Sequence, residues 1–493
     1  MGNLNNFITR ACEKYPVVLN LTAVCAAFLC YFCMYAYRKP FSAGTYEGYS
    51  LWGVEFKIIG IIFQVLGYTI SKFLGIKVVS EVNPKYRGIC IFCFITSSEL
   101  VLVLFGAIPR PYNAIIMFLN GLPLGMIWGL TFSYLEGRKT SETLGSGMAI
   151  SFIVSSGIVK SVGQTLIKNG LSQFWMPATV GGIFYIPMCL AVFVLESLPP
   201  PSEKDIEIRT ERVVMTNKDR TKFCKTFGPG IFFMVFFHMF LTAYRDFRDN
   251  FAPELWAAFG YEETPSIFSI SEIIVAFVVF IVVALFMLIK KPLNTLIGYH
   301  ILIIGGQIII GVCALLNAKG KLPGVYFMVI AGIGLYFGYV PFNSIIFDSI
   351  IAVFKYKANS GFLSYLCDSM GYLSSVVILF VKNFVSADLS WLQFFHILSY
   401  AIAFMAAIFL SLSLGYYVWK YYHWTPEDQE TLDNIEGKYA KDRDSNDETD
   451  YTQNSQTIDE NLDDDSDSDS VSSVSMSRSG SSSDESDNPK IEV

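Results

Sequence analysis

Residues 31–39 read YFCMYAYRK and end an apolar run that is long enough to cross a lipid bilayer. The run closes with two cations, Arg38 and Lys39. Placing an Arg side chain at membrane depth costs at least ~2.5 kcal/mol, so it indicates a functional site unless the side chain reaches the lipid headgroups. A second arginine, Arg245, follows another long apolar run within the same tripeptide, Ala-Tyr-Arg. Two such helices in one chain favour a functional site.

The composition of the whole chain is that of a polytopic membrane protein. Of 493 residues, 53% are hydrophobic and only 16% are charged, which is too apolar for a soluble globule of this size. The net charge of −7 hides two opposite regions, because residues 425–493 hold 21 Asp and Glu against 5 Lys and Arg. The rest of the chain is therefore basic. That charge suits anionic ligands, although positively charged cytoplasmic loops would have the same sign.

Apolar stretches of roughly 20 residues predict an all-α membrane protein with twelve transmembrane helices. The predicted helices are 16–38, 56–79, 89–108, 112–135, 144–164, 177–197, 229–249, 266–289, 293–316, 324–350, 360–382 and 392–419. A polar, Pro-led segment divides them into two six-helix bundles. The predicted parts are an N-terminus at 1–15, a first bundle at 16–197, a central linker at 198–228, a second bundle at 229–419 and an acidic, Ser-rich tail at 420–493.

Glycines recur between the two halves at nearly constant offsets. The offsets lie between 213 and 214 residues for the pairs Gly121 and Gly334, Gly125 and Gly338, Gly147 and Gly361, and Gly157 and Gly371. Such an internal repeat predicts two bundles related by a pseudo-two-fold axis, with a binding site at their interface. Small residues at these positions would also let the helices approach closely.

The distribution of Lys and Arg predicts how the chain lies in the membrane. Loops on the side of the N-terminus carry more Lys and Arg than loops on the other side. By the positive-inside rule, we expect an integral, multi-pass protein with both termini and the central linker in the cytoplasm. The tail is predicted to be disordered, because it is acidic and has few apolar residues. It is either a solvated low-complexity segment or a docking segment for kinases or cytosolic proteins.

Known catalytic and cofactor motifs do not emerge from the sequence. The histidines are scattered over separate helices, and no Gly-rich loop followed by Lys and Ser or Thr would cradle a phosphate. We therefore expect no enzyme activity, no cofactor, no metal site and no nucleic-acid partner. The partners that composition and charge favour are the lipid bilayer and a small anionic substrate.

Charged side chains inside the predicted helices are the more informative signal. Lys72 and Lys160 are expected to face a polar cavity, because cations outnumber acids in the helices of the first half. The intramembrane acids are Glu99, Asp348 and Asp368. For these three, internal ion pairs or helix-end contacts, proton coupling and substrate contact remain open alternatives.

Spacing places aromatic hydroxyls on the same helix face as the intramembrane cations. Tyr31, Tyr35 and Arg38 stand at i, i+4 and i+7, and Tyr68 and Lys72 are four residues apart. Two guanidiniums facing each other across a cleft would clamp an anion, because each offers a planar fork of donors that matches phosphate or carboxylate. The tyrosine hydroxyls would complete the set of donors.

The first predicted helices resemble the major facilitator superfamily, and within it the organophosphate:phosphate antiporters that carry glycerol-3-phosphate and hexose phosphates. The family pattern Y-x-x-x-Y-x-x-R-K-x-F is met by Tyr31, Tyr35, Arg38, Lys39 and Phe41. The family pattern Y-x-x-S-K-F is met by Tyr68, Ser71, Lys72 and Phe73, and NGLPLGMIWG in the fourth helix also resembles the family. Arg245 and Pro253 keep the family spacing in the seventh helix.

The resemblance implies a phosphate site at Arg38 and Arg245, with Lys72, Tyr31, Tyr35 and Tyr68 around it. The chain departs from the family pattern at several positions. Asn250 and Phe251 replace an Asp-Trp pair, and the segment SFIVSSG lacks the family's histidine. The chain instead has Lys160 after this segment and the additional Arg248.

These features predict a secondary active transporter that moves a small organic anion, most simply a phosphorylated metabolite, by alternating access. Inorganic phosphate is the expected counter-substrate of such an exchange. Two alternatives remain open from the sequence. One is a proton-coupled carrier of carboxylates or other anions, and the other is a non-transporting ligand sensor or scaffold that signals through the acidic tail.

Overall fold

The computed structural model describes residues 9–12, 14–135, 141–200, 217–286, 288–289, 291–356, 360–386 and 388–424. Most of the predicted central linker, residues 201–216, lies outside the described residues. The same holds for residues 425–493 of the predicted tail, so its predicted disorder and docking role stay predictions. The membrane region belongs to one compact unit that ends at His423.

Twelve main helical segments follow one another in the described chain, and we number them as helices 1 to 12 from the N-terminus. Helices 1 to 6 are Pro16–Arg38, Phe56–Glu81, Arg87–Ala107, the broken pair Met117–Leu124 and Ile127–Phe132, Ser141–Lys168 and Met176–Glu196. Helices 7 to 12 are Asn217–Asn250, Ser266–Phe286, Pro292–Ala318, the broken pair Gly324–Ser344 and Ile346–Phe354, Ser360–Phe380, and Trp391–Met405 continued by Ser411–Tyr422. Within the described residues, eleven segments are long and apolar enough to cross a membrane. The predicted all-α, multi-pass membrane fold is confirmed.

Three helix predictions differ from the structure for local reasons. The continuous helices predicted over 112–135 and 324–350 are both interrupted, and each has a proline inside it, Pro123 and Pro341. Proline removes a backbone donor and its ring clashes with the preceding turn, which weakens a helix. Proline alone does not break these helices, because helices 6 and 7 contain Pro187 and Pro229 and are continuous. Helix 7 begins at Asn217 rather than at the predicted 229, because its first turns are polar and a hydropathy criterion detects only the apolar part.

A short hairpin that was not predicted lies between helices 1 and 2. Strands Ser50–Leu51 and Val54–Glu55 pair antiparallel. The turn residues Trp52 and Gly53 both have positive φ, at 54° and 75°. Two positive φ values are typical of the tight turn that matches the twist of paired strands.

Helix packing repeats between the halves. In the first half, helix 1 packs on helices 5 and 6, helix 4 on helices 2 and 3, and helix 3 on helix 6. The second half repeats these contacts six helices later: 7 with 11 and 12, 10 with 8 and 9, and 9 with 12. The main contacts between the halves, helix 2 with 11 and helix 5 with 8, exchange under the same operation. The pattern is that of two bundles related by a pseudo-two-fold axis.

Gly157 is one of the repeated glycines and lies where the halves touch. A Cβ atom at this position would be 2.4 Å from the carbonyl oxygen of Phe268 in helix 8. Its partner in the repeat, Gly371, instead approaches Thr242 of helix 7, within the second half. Both positions of the repeat therefore pack closely against another helix, but the partner helix differs.

Gly157→Ala is expected to lower the thermal stability of the detergent-solubilised protein. The added methyl group must push helix 8 away, and overpacking of this kind costs typically 1–3 kcal/mol. Gly305→Ala in helix 9 is the matched control, because a Cβ there meets nothing within 4 Å. The control is expected to keep or raise the melting temperature, since alanine is the better helix former. Equal effects of the two substitutions would contradict a close contact at Gly157.

Candidate functional site

The structure brings Arg38 and Arg245 to the same aromatic ring. Arg38 ends helix 1 and Arg245 lies near the end of helix 7, and their residues are only 3% and 7% exposed. The Cζ atoms of Arg38 and Arg245 lie 5.3 and 5.4 Å from the ring centroid of Tyr372 in helix 11. The two intramembrane arginines, which are far apart in sequence, are therefore neighbours across the interface between the halves.

Each arginine also stacks on a tyrosine of its own half. The Cζ atom of Arg38 is 4.0 Å from the Tyr68 ring, and that of Arg245 is 4.2 Å from the Tyr339 ring. Both distances are within the range of a cation–π interaction. Tyr68 and Tyr372 pack edge to face, with centroids 4.9 Å apart. We call these five residues the arginine site.

Tyr31 and Tyr35 extend the aromatic wall along helix 1. Both are buried, and their ring centroids are 5.6 Å apart. Tyr31 also packs edge to face on Trp128, with a centroid separation of 4.7 Å. The helix-face spacing predicted for these tyrosines therefore corresponds to a continuous aromatic surface leading away from Arg38.

The two arginines differ in their acidic partners. Arg245 donates from Nε and Nη2 to Asp246, at 3.1 and 2.6 Å, and Ser375 donates to the other carboxylate oxygen of Asp246 at 2.8 Å. Within the described part of the chain, Arg38 has no carboxylate partner, and its guanidinium contacts the rings of Tyr68 and Tyr372. Arg38 is thus a buried cation with no carboxylate at ion-pair distance among the described residues, and Asp246, which pairs with Arg245, acts on it only from further away.

A network of buried ions closes the interface one helical turn beyond Arg245. Asp249 accepts from Lys39 and Lys160 as well as from the Ser156 hydroxyl, and Lys39 also donates to Asn250 at 3.3 Å. We call Lys39, Ser156, Lys160 and Asp249 the Asp249 cluster. Asp249 stands one residue before Asn250, where the resembling family has its aspartate. Asp249 was not among the predicted site residues, because only position 250 was compared with the family pattern.

A second ion pair joins the two halves at the same end of the molecule. Lys57 at the start of helix 2 donates to Glu254 at 2.5 Å, and both side chains are at least five-sixths buried. Glu254 lies just after helix 7, and burial raises the pKa of its carboxyl although Lys57 acts in the opposite direction. Lys168 and Glu263 form a further pair at 3.2 Å, but these two side chains are exposed.

On the other side of the arginines, the halves are joined by Lys72 and Asp368. The Lys72 ammonium lies 3.1 Å from Asp368 Oδ2. Lys72 is one turn from Tyr68, and Asp368 is one turn from Tyr372, in the direction opposite to the Asp249 cluster. The arginine site is therefore bracketed by two layers of ion pairs, each of which joins helices from different halves.

The ion pairs that join the two halves within the described residues share one polarity. In each of them the cation belongs to the first half and the acid to the second, as in Lys39 with Asp249, Lys160 with Asp249, Lys57 with Glu254, Lys72 with Asp368 and Lys168 with Glu263. The excess of cations in the first-half helices was visible in the sequence. Which acid each cation meets was not, because the partners come from separate helices.

Three predicted residues lie apart from the arginine site. Arg248 pairs with Glu272 at 2.8 Å and donates to the Met328 carbonyl at 3.1 Å, both within the second half. Glu99 in helix 3 packs against Gly181 of helix 6, inside the first bundle. Asp348 is half-buried in the short helix Ile346–Phe354. Of the three predicted intramembrane acids, only Asp368 joins the bracket around the arginines.

Tyr339 and Tyr372 belong to the site but were missed by the sequence analysis. Each directly follows a glycine of the internal repeat, Gly338 and Gly371. Consecutive residues of a helix point to different faces, so the glycines of the repeat do not indicate that these tyrosines face the interface.

Comparison with known proteins identifies the type of fold. The sequence model of a family described as "Family of unknown function (DUF5690)" matches residues 40–420. No curated protein matches the chain. Among solved structures, a D-xylose-proton symporter superposes with a TM-score of 0.56 at 15% identity, over 80% of this chain and 97% of the symporter. The nucleoside transporter NupG gives 0.54 at 18% identity, over 80% and 98% of the two chains.

The inward-open xylose transporter XylE from E. coli is a third similar structure. Its TM-score is 0.54 at 13% identity, over 80% of this chain and 96% of XylE. At such low identities the likeness establishes the fold and not the activity. The fold is that of major facilitator transporters.

Proposed function

The chain belongs to the DUF5690 family of unknown function, and we propose that it is a secondary active transporter for a small phosphorylated anion. The observation that carries this proposal is the buried guanidinium of Arg38, which has no acidic partner in the described chain. Burying an uncompensated charge costs several kcal/mol, so a native structure retains one where a ligand can compensate it. A bound anion would supply the missing partner.

The charge balance around the site favours a doubly charged ligand. The cations of the arginine site and its two ion-pair layers are Arg38, Lys39, Lys57, Lys72, Lys160 and Arg245. The acids are Asp246, Asp249, Glu254 and Asp368. Formally, the described side chains leave an excess of two positive charges. A phosphate ester carries roughly −1.5 to −2 at pH 7 and would neutralise it, whereas a monocarboxylate would leave one charge uncompensated.

The ligand geometry also favours phosphate. Guanidinium groups bind phosphate oxygens through parallel N–H donors, and two of them from different halves can hold one phosphate between them. The resemblance of the first two helices to organophosphate:phosphate antiporters supports the same substrate class. Inorganic phosphate, which has the same charge and oxygens, is the counter-substrate that we propose.

The two ion-pair layers support transport by alternating access. The Asp249 cluster and the Lys72–Asp368 pair lie on opposite sides of the arginine site, and each holds the halves together at one end. An anion that draws Arg38 and Arg245 together would offset their mutual repulsion and stabilise closure around the ligand. With the termini in the cytoplasm, as the positive-inside rule predicts, the Asp249 cluster would be the outer layer.

Exchange in proteoliposomes tests this function. Vesicles loaded with inorganic phosphate are expected to take up labelled phosphate through the protein, and glycerol-3-phosphate and hexose phosphates are expected to compete. Xylose and uridine, the neutral controls, are expected to have no effect. Competition by a neutral sugar or nucleoside without competition by any phosphate would overturn the proposal. In detergent, a ligand at 100 times its Kd should stabilise the fold by about 2.7 kcal/mol.

A further inference from the structure

We infer that His238 and Asp368 form a proton-binding site, and that the anion is bound together with a proton on His238. This inference rests on the proposed anion site and adds the co-substrate to it. His238 lies in helix 7, two turns before Arg245, and is 1% exposed. Neither of its ring nitrogens has a hydrogen-bond partner among the described residues.

The missing partner is close by. His238 Nε2 lies 3.8 Å from Asp368 Oδ1, and that oxygen also lacks a hydrogen bond within the described chain. The separation is too long for a hydrogen bond to a neutral imidazole. A small rotation of either side chain would bring the two atoms into a charge-assisted hydrogen bond once His238 carries a proton. Asp368 would then serve two cations, Lys72 and His238, as Asp249 serves Lys39 and Lys160.

The other histidines show that this arrangement is particular to His238. His300 is equally buried, yet its Nδ1 is 2.8 Å from the Leu296 carbonyl and its Nε2 is 3.2 Å from Ser413 Oγ. His396 and His423 also make hydrogen bonds, at 2.8 Å each. Buried polar groups in native proteins are nearly always satisfied, so an imidazole with two free nitrogens next to a carboxylate oxygen indicates a function.

The groups around His238 connect the proton to the anion. Asp368 faces it from helix 11, Arg245 lies two turns along its own helix, and Lys72 of helix 2 acts through Asp368. From helix 10, the rings of Tyr339 and Phe342 pack on the imidazole, with centroids 5.7 and 4.9 Å away. Tyr339 contacts both the imidazole and the guanidinium of Arg245, so the proton site and the anion site share a wall.

The sign of the coupling follows from the charge balance. Without an anion, a proton on His238 would add a third positive charge to the existing excess, and the imidazole is expected to stay neutral. A bound dianion cancels that excess, and His238 can then take a proton from water onto Nε2. Because linkage is reciprocal, protonation must strengthen anion binding by the same factor. Anion affinity should therefore rise as the pH falls, by at most about tenfold per pH unit for one linked proton.

Histidine-detected NMR on ¹⁵N-labelled protein tests proton binding directly. The chain has 4 histidines, and the signal of His238 is assigned by its loss in His238→Gln. Sulfate is the probe, because it remains a dianion over the whole range in which histidine titrates. We expect His238 to be protonated at a higher pH in the presence of sulfate than in its absence. A His238 that stays neutral from pH 5 to 8 in both conditions would overturn the proton site.

Thermal-shift titrations with sulfate and inorganic phosphate separate the proton site from the anion site. Wild-type protein is expected to bind sulfate more tightly at pH 5.5 than at pH 7.5, and His238→Gln is expected to lose that difference. His300→Gln, at a buried histidine outside the site, is expected to keep it. Sulfate binding that is independent of pH in the wild type would overturn the coupling. Failure of both anions to bind at any pH would overturn the proposed function, while NMR still decides whether His238 binds a proton.

Discussion

Arg38→Gln is expected to weaken anion binding by about 100-fold or more while leaving the ligand-free protein at least as stable as the wild type. Removing one member of a buried, hydrogen-bonded charge pair costs about 2–5 kcal/mol of binding free energy. In the empty protein the same substitution removes a buried cation that has no acidic partner in the described chain, so it relieves a desolvation penalty. Melting temperatures with and without inorganic phosphate measure both effects in one experiment.

Arg245→Gln is the matched control, because this arginine has a partner. Its loss leaves the buried Asp246 with Ser375 as its remaining hydrogen-bond donor among the described residues. An orphaned buried charge costs about 3–5 kcal/mol, so this variant should melt at a lower temperature even without ligand. The double variant Arg245→Gln/Asp246→Asn should recover most of that loss. If Arg38→Gln destabilised the ligand-free protein as much as Arg245→Gln does, Arg38 would stabilise the fold. That result would contradict the proposal that its unpaired charge serves to bind an anion.

Asp249→Asn is expected to open the layer of ion pairs that the Asp249 cluster forms. The substitution leaves two buried lysines, Lys39 and Lys160, without the carboxylate they share. Keeping both lysines buried would cost about 3–5 kcal/mol, and separation of the halves at this end lets water solvate them instead. We expect a lower melting temperature together with slower phosphate exchange, since the closed state around this layer is lost.

Glu263→Gln provides the control for a cross-half pair at the surface. The side chains of Lys168 and Glu263 are 53% and 83% exposed, so their interaction is screened by water. Exposed ion pairs contribute about 0–1 kcal/mol, and the melting temperature and exchange rate should be nearly unchanged. Equal effects of Asp249→Asn and Glu263→Gln would contradict the assignment of a closing role to the buried cluster.

The helices and the cationic character of the site were readable from the sequence. Apolar stretches of the right length fixed the membrane helices, and the i, i+4, i+7 spacing placed Tyr31 and Tyr35 on the face of Arg38. The structure has these side chains buried along one wall, and it places Lys72 in a contact between the halves. The shared face of Tyr31, Tyr35 and Arg38 depends only on the spacing of residues within one helix, which can be read from a single sequence.

Asp249 shows where such reasoning stops. The family pattern has an acid at the position of residue 250, where this chain has Asn250. In an α-helix, however, a residue four positions after Arg245 lies on the same face, so Asp249 projects toward the interface one turn further on. Tyr339 and Tyr372 were missed for another reason, since a tyrosine in a membrane helix is equally compatible with facing lipid.

By itself, the sequence determined that the chain crosses the membrane many times, that its halves repeat, and that it buries more cations than the first half can neutralise. Only the tertiary structure decided how those charges are divided. In the structure, Asp249 pairs with two lysines, Asp368 with Lys72 and Asp246 with Arg245. Among the described residues, no carboxylate lies at ion-pair distance from Arg38. The physical reason is that ion pairing depends on distances of a few ångströms between helices up to 296 positions apart in sequence, which no local pattern encodes.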